Sequence, residues 1–345
     1  MKIDILCGQG SPEGVHLSDV YGQNGRVGVG GAELALLTMC EEWHKAHHEV
    51  VLYNNPITPN GSPFEQRNIS TFDPNEDRDV LIIFRSPNSR SLSAKGLKVW
   101  WSCDQATIGD FAGFAPSVHK IVCISPRHAE YFASNYGIIN TTVIDLPVRI
   151  DEFGSIDSRM KIKNRLIFTS VPDRGLNNLL KIFPVIRQNV PNVSLAITSD
   201  YRLWGCGGAG NEQFRNRWLG NSHVDFFGAL PREEYIRELV KAQILLYPSN
   251  YDELFCISVA EAECAGAYPI TSATGSLPTT NMGTVLNGDA NLGSTGRTFV
   301  DAVLGMLANP EELERKQKEV GDKARERFAP KRILEEWDKK IFSGG

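Results

Sequence analysis

Asp252–Ile270 reads DELFCISVAEAECAGAYPI and holds two carboxylates, Glu253 and Glu261, on either side of an expected helix start. Just upstream, Gln243–Ser249 (QILLYPS) is a continuous apolar run closed by Pro248 and Ser249, the pattern of a short buried strand. SNYDE then reads as a loop. From about Phe255 the apolar residues Ile257, Ala260 and Cys264 recur at helical spacing, and Gly266 supplies the stop. A strand, a polar loop and a helix whose first amides point back into that loop make an anion site, because those amides have no intrahelical partner. Glu253 is expected beside the site, with the backbone of Leu254, Phe255 and Cys256 around it. Glu261, about two turns further on, is expected to face the same cleft.

Such a cleft suits a ligand with an anionic end and many hydroxyls. Helix amides hold a phosphate, and each glutamate accepts hydrogen bonds from sugar or ribose hydroxyls, charge-assisted contacts of roughly 1.5–3 kcal/mol each. A nucleotide-sugar has that chemistry. The alternative is that Glu261 and Glu263 decorate a solvated helix face.

The 345 residues allow two domains of ordinary size, and 41% hydrophobic with 22% charged residues is the balance of a globular protein. A net charge of −5 and a pI near 5.9 provide no globally basic surface for nucleic acid or anionic lipid. The seven cysteines are odd in number and form no C-x-x-C pair, so they read as reduced thiols rather than disulfides or a zinc site. No apolar run approaches the ~18 residues of a membrane span. A cytoplasmic protein with at most a peripheral membrane contact is expected.

Outward from the motif, the chain alternates strands and helices. Lys2–Cys7 is a first strand, followed by a long glycine-rich loop and a helix over Ala32–Lys45. Strands recur at Glu49–Tyr53, Val80–Phe84, Lys98–Trp101 and Lys120–Ile124, which completes one Rossmann-like half. His44 and His48 have a helical metal-binding spacing, but no third ligand is near and a basic helix end accounts for them. Asp104 ends the KVWWSCD run at the carboxyl edge of a strand, where open α/β sheets place ligands; a helix cap is the alternative. Ser125 ends the next strand in the same way.

Periodicity lapses between Val143 and Ser158, around Pro147 and Gly154, which predicts domains at 1–150 and 151–328 with a terminal helix in 329–345. The second half opens with a strand at Leu166–Thr169, a turn at Pro172 and a helix from Gly175. Arg174, at the end of that turn, is placed to meet a pyrophosphate with its planar fork; an exposed turn arginine is the alternative. Gly205, Gly207 and Gly210 form a G-x-G-x-x-G, but the strand Val193–Thr198 ends well before it, so a surface excursion with Trp204 near an acceptor is expected instead. Gly228 closes another strand, and a helix follows from Pro231 with Glu233 and Glu234 in its first turn. Pro278–Gly296 is rich in Gly and Asn and reads as a mobile loop. Helices are expected at Thr298–Ala308, Glu311–Arg327 and Lys331–Phe342, the last with Ile333, Leu334, Trp337 and Ile341 on one face.

The Asp252–Ile270 segment resembles the E-x7-E motif of the retaining GT-B glycosyltransferases of family 4 (glycosyl transferases group 1). The neighbours match in order: YPS, the E-x-F start (Glu253, Phe255), the E-A-x-x-A-G helix end (Glu261, Ala262, Ala265, Gly266) and G-S-L-P (Gly275 to Pro278). Cys256 stands where the family commonly has Gly. The resemblance implies an α/β GT-B fold, two doubly wound Rossmann-like domains facing across a cleft, with the terminal helix crossing back to the first. It implies transfer of a sugar, with retention and without metal or cofactor, from a UDP- or GDP-linked donor to a glycan, lipid-linked or protein-linked acceptor. Glu253 would touch the donor sugar, Glu261 the ribose, and Arg174, with Thr169 at the family's other cationic place, the diphosphate. Gly30 and Gly31 match a GGAE element that approaches the donor phosphate or the acceptor. Gly228 would lie near the base, Ser249 closes the strand before the motif, and Asp104, with Cys103 in place of the usual His, would serve the acceptor or handle a proton. A nucleotide-sugar epimerase of the same fold and a non-catalytic nucleotide-sugar-binding protein are the alternatives.

Overall fold

The computed structural model describes residues 1–8, 14–21, 28–55, 61–106, 108–155, 157–204, 209–221 and 223–344. Much of the glycine-rich loop before residue 28, and Gly205 and Gly207, lie outside the described residues, as does the side chain of Trp204. The chain divides into two compact units, Met1–Pro147 with Pro330–Gly345, and Val148–Ala329. Among the described residues no helix is long and apolar enough to cross a membrane.

The first unit is built on seven parallel strands in the order β3-β2-β1-β4-β5-β6-β7. These are β1 Lys2–Cys7, β2 Glu49–Asn54, β3 Glu65–Asn68, β4 Val80–Phe84, β5 Leu97–Trp101, β6 Lys120–Cys123 and β7 Thr142–Val143. The VLIIF of β4 is buried throughout, as a parallel strand covered on both faces must be. Helices α1 (Gly31–Lys45), α2 (Phe111–Phe114) and α3 (Pro126–Tyr136) lie in the connections. Ser125 is the N-cap of α3: its hydroxyl accepts the His128 N–H at 3.0 Å, so it is spent on the helix start. The terminal helix, Pro330–Lys340, packs in this unit on Ile333, Trp337 and Ile341, all fully buried, with Leu334 half-buried. Trp337 meets Trp43 of α1 at 5.3 Å and Trp101 of β5 at 5.2 Å, both edge to face.

The second unit repeats the plan with six parallel strands in the order β10-β9-β8-β11-β12-β13. Its strands are β8 Arg165–Thr169, β9 Ser194–Thr198, β10 Val224–Phe226, β11 Ile244–Tyr247, β12 Tyr268–Ser272 and β13 Thr284–Leu286. Its helices are α4 Leu176–Asn189, α5 Ala209–Trp218, α6 Arg232–Lys241, α7 Ile257–Cys264, α8 Leu277–Thr280, α9 Gly293–Ala308 and α10 Pro310–Phe328. In both sheets the strand order reverses once, between β1 and β4 and between β8 and β11, and such switch points open a crevice at the carboxyl ends of the strands.

The expected mobile loop after Pro278 is ordered: it contains α8, β13 and the first turns of α9. Asn281 builds that turn, its amide donating to Thr271 Oγ1 at 2.7 Å and to the Thr284 carbonyl at 2.9 Å. The motif helix begins at Ile257 rather than Phe255, because Cys256 takes a left-handed conformation (φ 70°) at the N-cap.

Two consequences are measurable. Trp337→Ala removes the centre of the tryptophan cluster and is expected to cost about 3–5 kcal/mol, read as an earlier first-unit transition in denaturant. Glu263, on α7, is fully buried with Oε1 accepting the Met282 N–H at 2.6 Å, and burial lifts its carboxyl from about 4.5 to about 8. The folded chain therefore keeps this proton to about pH 8 while the unfolded chain releases it near pH 4.5. The contribution is complete below that lower value and is lost as pH rises through the upper one, at a slope approaching about 1.4 kcal/mol per pH unit. Glu263→Gln should flatten that slope in melts between pH 5 and pH 9 (about the window just defined); an unchanged slope would locate the pH dependence elsewhere.

Candidate active site

The loops that leave β8 and β11, the two strands at the second unit's switch point, carry Arg174 and Glu253. After β8 the chain makes a 3-10 turn, Pro172–Arg174, and leaves it through Gly175 at φ 116°. A Cβ at Gly175 would stand 2.6 Å from the Pro248 carbonyl oxygen, so only glycine lets the two loops lie flush. Asn178 ties them further, donating to that carbonyl at 2.9 Å. Arg174 Nη1 then reaches Glu253 Oε2 at 2.7 Å, with its guanidinium 4.0 Å over the Tyr251 ring. Tyr247, the last residue of β11, donates its hydroxyl to Glu253 Oε1 at 2.6 Å.

Glu253 is only 2% exposed, yet its charge is matched. Burial works against the Arg174 cation, but Glu253 and the neighbouring phenols outweigh it and hold the guanidinium above its ordinary value. Burial likewise pushes the Tyr247 phenol well up, which keeps it a donor. The G-S-L-P element explains itself here. Gly275 has φ 60°, and a Cβ on it would fall 2.3 Å from the Glu253 nitrogen, while Ser276 N–H donates to the Glu253 carbonyl at 2.7 Å. Leu254, Phe255 and Cys256 are buried behind this loop. Ser249 is fully buried inside it, its hydroxyl accepting the Tyr251 N–H at 3.1 Å.

Glu261 does not lie on a solvated helix face. It is 3% exposed, and Glu263 beside it is 0% exposed. Glu261 Oε1 accepts from Arg232 Nη1 at 2.5 Å and Oε2 from the Tyr235 hydroxyl at 3.0 Å, both groups on α6. Arg232 Nε also reaches Glu152 at 2.7 Å, whose other oxygen takes Arg149 Nε at 2.8 Å. Arg232, Tyr235 and Glu152 carry no sequence signal of their own, because the bonds that tie them to Glu261 and that join Arg232 to Glu152 span 26 to 80 residues. Glu233 and Glu234 are exposed in the first turn of α6.

Gly228, at φ 72° after β10, sits against Asp200, which ends the β9 loop and is buried. Burial pushes the Asp200 carboxyl up, but bonds from Arg202 and the Ala229 N–H more than compensate and hold it below the usual range.

In the first unit, Asp104 follows β5 and is bound by Arg85, which follows β4 at the switch point. Arg85 donates through Nε to Asp104 Oδ2 and through Nη2 to Oδ1 at 3.2 Å, and through Nη1 to Glu33 Oε1 at 2.5 Å. Its backbone is held as well: φ is 71°, the N–H donates to the Trp101 carbonyl at 2.8 Å, and the carbonyl accepts Trp100 Nε1 at 2.9 Å. Glu33 lies in the first turn of α1, which starts at Gly31 behind Gly30 as N-cap. Glu33 is the acid of the GGAE element and Arg85 directly follows the apolar run of β4, so position, not composition, is the signal that finds them. Among the described residues no group of three or more His, Cys, Asp or Glu side chains could hold a metal ion.

Comparison with known proteins finds relatives in sequence and in fold. Residues 165–327, nearly all of the second unit, match the family model described as glycosyl transferases group 1. An uncharacterized glycosyltransferase, YqgM, of Bacillus subtilis (strain 168) is 27% identical over 138 residues, 39% of this chain and 36% of that protein, so the aligned stretch spans about a third of the relative. Sucrose-phosphate synthase from Thermosynechococcus elongatus superposes with a TM-score of 0.72 at 14% identity, covering 100% of both chains. HepE of Anabaena, in a complex with UDP and glucose, superposes with a TM-score of 0.72 at 14% identity over 99% of this chain and 100% of that one. The chain therefore has the GT-B glycosyltransferase fold, and its second unit carries the match to glycosyl transferases group 1.

Proposed function

We propose that this protein is a retaining glycosyltransferase that moves a sugar from a nucleotide-sugar to an acceptor hydroxyl without a metal ion. The observation that carries the reading is the Arg174–Glu253–Tyr247 array at the second unit's switch point, eight residues ahead of Glu261. A diphosphate leaving group needs positive charge and N–H donors. Arg174 supplies the charge, and α7 offers its first amides, Ile257 and Ser258, which have no acceptor among the described residues.

Glu253 would accept sugar hydroxyls. Each carboxylate oxygen has two lone pairs, and the bonds from Arg174 and Tyr247 occupy one on each, so the group is oriented without being saturated. Glu261 would accept the ribose hydroxyls in the same way, steadied by Arg232 and Tyr235. Asp104 would bind the acceptor. With a guanidinium forked onto it, it is suited to accept a hydroxyl hydrogen bond more than to take a proton. The UDP in the HepE structures favours a uridine donor for that relative and makes UDP-sugars the first to try here.

The test is turnover of UDP- and GDP-sugars with mixed acceptors in the presence of a chelator, with the product anomer read by proton NMR. An α-linked donor should give an α-linked product at an undiminished rate. Glu253→Gln and Arg174→Lys, chosen to spare folding, should each lower kcat by about 100-fold or more. Wild-type rates in both would remove the mechanism, an inverted product the retention, and epimer or free sugar as the only product the transferase.

A further inference from the structure

The carboxyl edge of the second sheet is chemically graded. At β8 and β11 lie Arg174 and Glu253; on the side toward β10 comes Glu261, held by Arg232 and Tyr235 of α6; beyond it, the β9 and β10 loops bring together Asp200 and Gly228. With a diphosphate on the amino end of α7, a ribose at Glu261 sends the base toward these outer loops, two strand spacings or about 10 Å from β8.

What waits there is an arginine built into a rigid fork. Asp200 accepts Arg202 Nε at 2.8 Å, Nη2 at 2.6 Å and the Arg202 backbone N–H at 2.8 Å. The carboxylate is itself fixed by the Ala229 N–H at 3.1 Å and by the Asn211 amide. The Arg202 side chain is nevertheless 48% exposed, and Nη1 has no protein partner among the described residues. Gly228 makes room: a Cβ there would lie 3.2 Å from Asp200 Oδ2 and 3.8 Å from Arg202 Nη2. An ordinary exposed ion pair has no reason to bury its carboxylate under five hydrogen bonds from three residues.

We propose that Arg202 reads the base of the donor nucleotide and selects a base with a keto oxygen, uracil or guanine, over adenine. A guanidinium has donors only. Its free end matches the O6 and N7 acceptors of guanine or the O4 of uracil, whereas adenine sets an amino donor in the same place. Asp200 is the positioning residue, holding the fork flat so that Nη1 faces outward. The assignment rests on the donor site proposed above and names the class of nucleotide that site takes.

The experiment is calorimetric titration of UDP, GDP, ADP and inorganic diphosphate into the wild-type protein, Arg202→Gln and Arg202→Lys, with circular dichroism to confirm folding. Lysine keeps the charge and loses the fork. The wild type should bind the better of UDP and GDP about tenfold or more tighter than ADP, the discrimination one good base contact carries. Both variants should lose that preference while their affinity for diphosphate stays within about twofold of wild type. A preference that survives in the folded variants, or a wild type that binds all three nucleotides equally, overturns the role of Arg202 and leaves the donor site standing. A wild type that binds neither diphosphate nor any nucleotide overturns the donor site itself.

Discussion

The ion pair between Arg174 and Glu253 is the interaction on which the second unit's site depends. The Glu253 side chain is 3% exposed and that of Arg174 20%, so desolvation weighs mainly on the carboxylate, and removing the arginine strands it at about 3–5 kcal/mol. The fold meets that cost with geometry. Gly175 lets the loops after β8 and β11 touch, Gly275 lets a third loop close over the Glu253 backbone, and Tyr247 and Tyr251 complete the surroundings of the pair. A site preorganised in this way holds its charges in place before any ligand arrives, the condition under which fixed groups stabilise developing charge most strongly.

The first unit solves the same problem with different residues. Its switch point also places an arginine beyond an inner strand, Arg85 directly after β4, and also pairs it with a carboxylate from the next loop, Asp104, adding Glu33 from the first turn of α1. Both arginines sit at backbone positions held by neighbouring strands or loops, so neither guanidinium is free to wander. Two carboxylates share one cation at Arg85, and that leaves the first unit's cluster with an excess of negative charge. An acidic cluster favours neutral hydroxyls over phosphate, and a cation beside helix amides favours phosphate.

How much of this can be read in the chain follows from how local each signal is. Strands such as LIF in β8 and ILLY in β11 are apolar runs that declare themselves, and Arg174 and Glu253 stand in the loops that follow them. The polar EQRN of β3 and the three-residue β13 carry no periodicity, so only pairing with a neighbouring strand makes them strands. The Gly- and Asn-rich stretch after Pro278 has the composition of a loop, yet Asn281 uses its side chain to build a tight turn between two ordered elements. Arg232 has no local signal, and Arg85 has only its place after β4; the pairings of both are hidden. Their partners, Glu261, Glu152, Glu33 and Asp104, lie between 19 and 80 residues away, and no local pattern spans such a gap. Cys256 shows the reverse case: the glycine expected in the motif has its reason in the left-handed backbone at this position, which Cys256 adopts with a small side chain at some cost in strain.

The most direct measurement is a crystal structure of the protein with a nucleoside diphosphate bound. The account predicts the terminal phosphate within about 3 Å of the Arg174 guanidinium and of the Ile257 and Ser258 amides, with the ribose hydroxyls on Glu261. A diphosphate seated away from the α7 amino end, or held there with Arg174 still wholly turned to Glu253 and making no contact with it, would contradict the account at its centre.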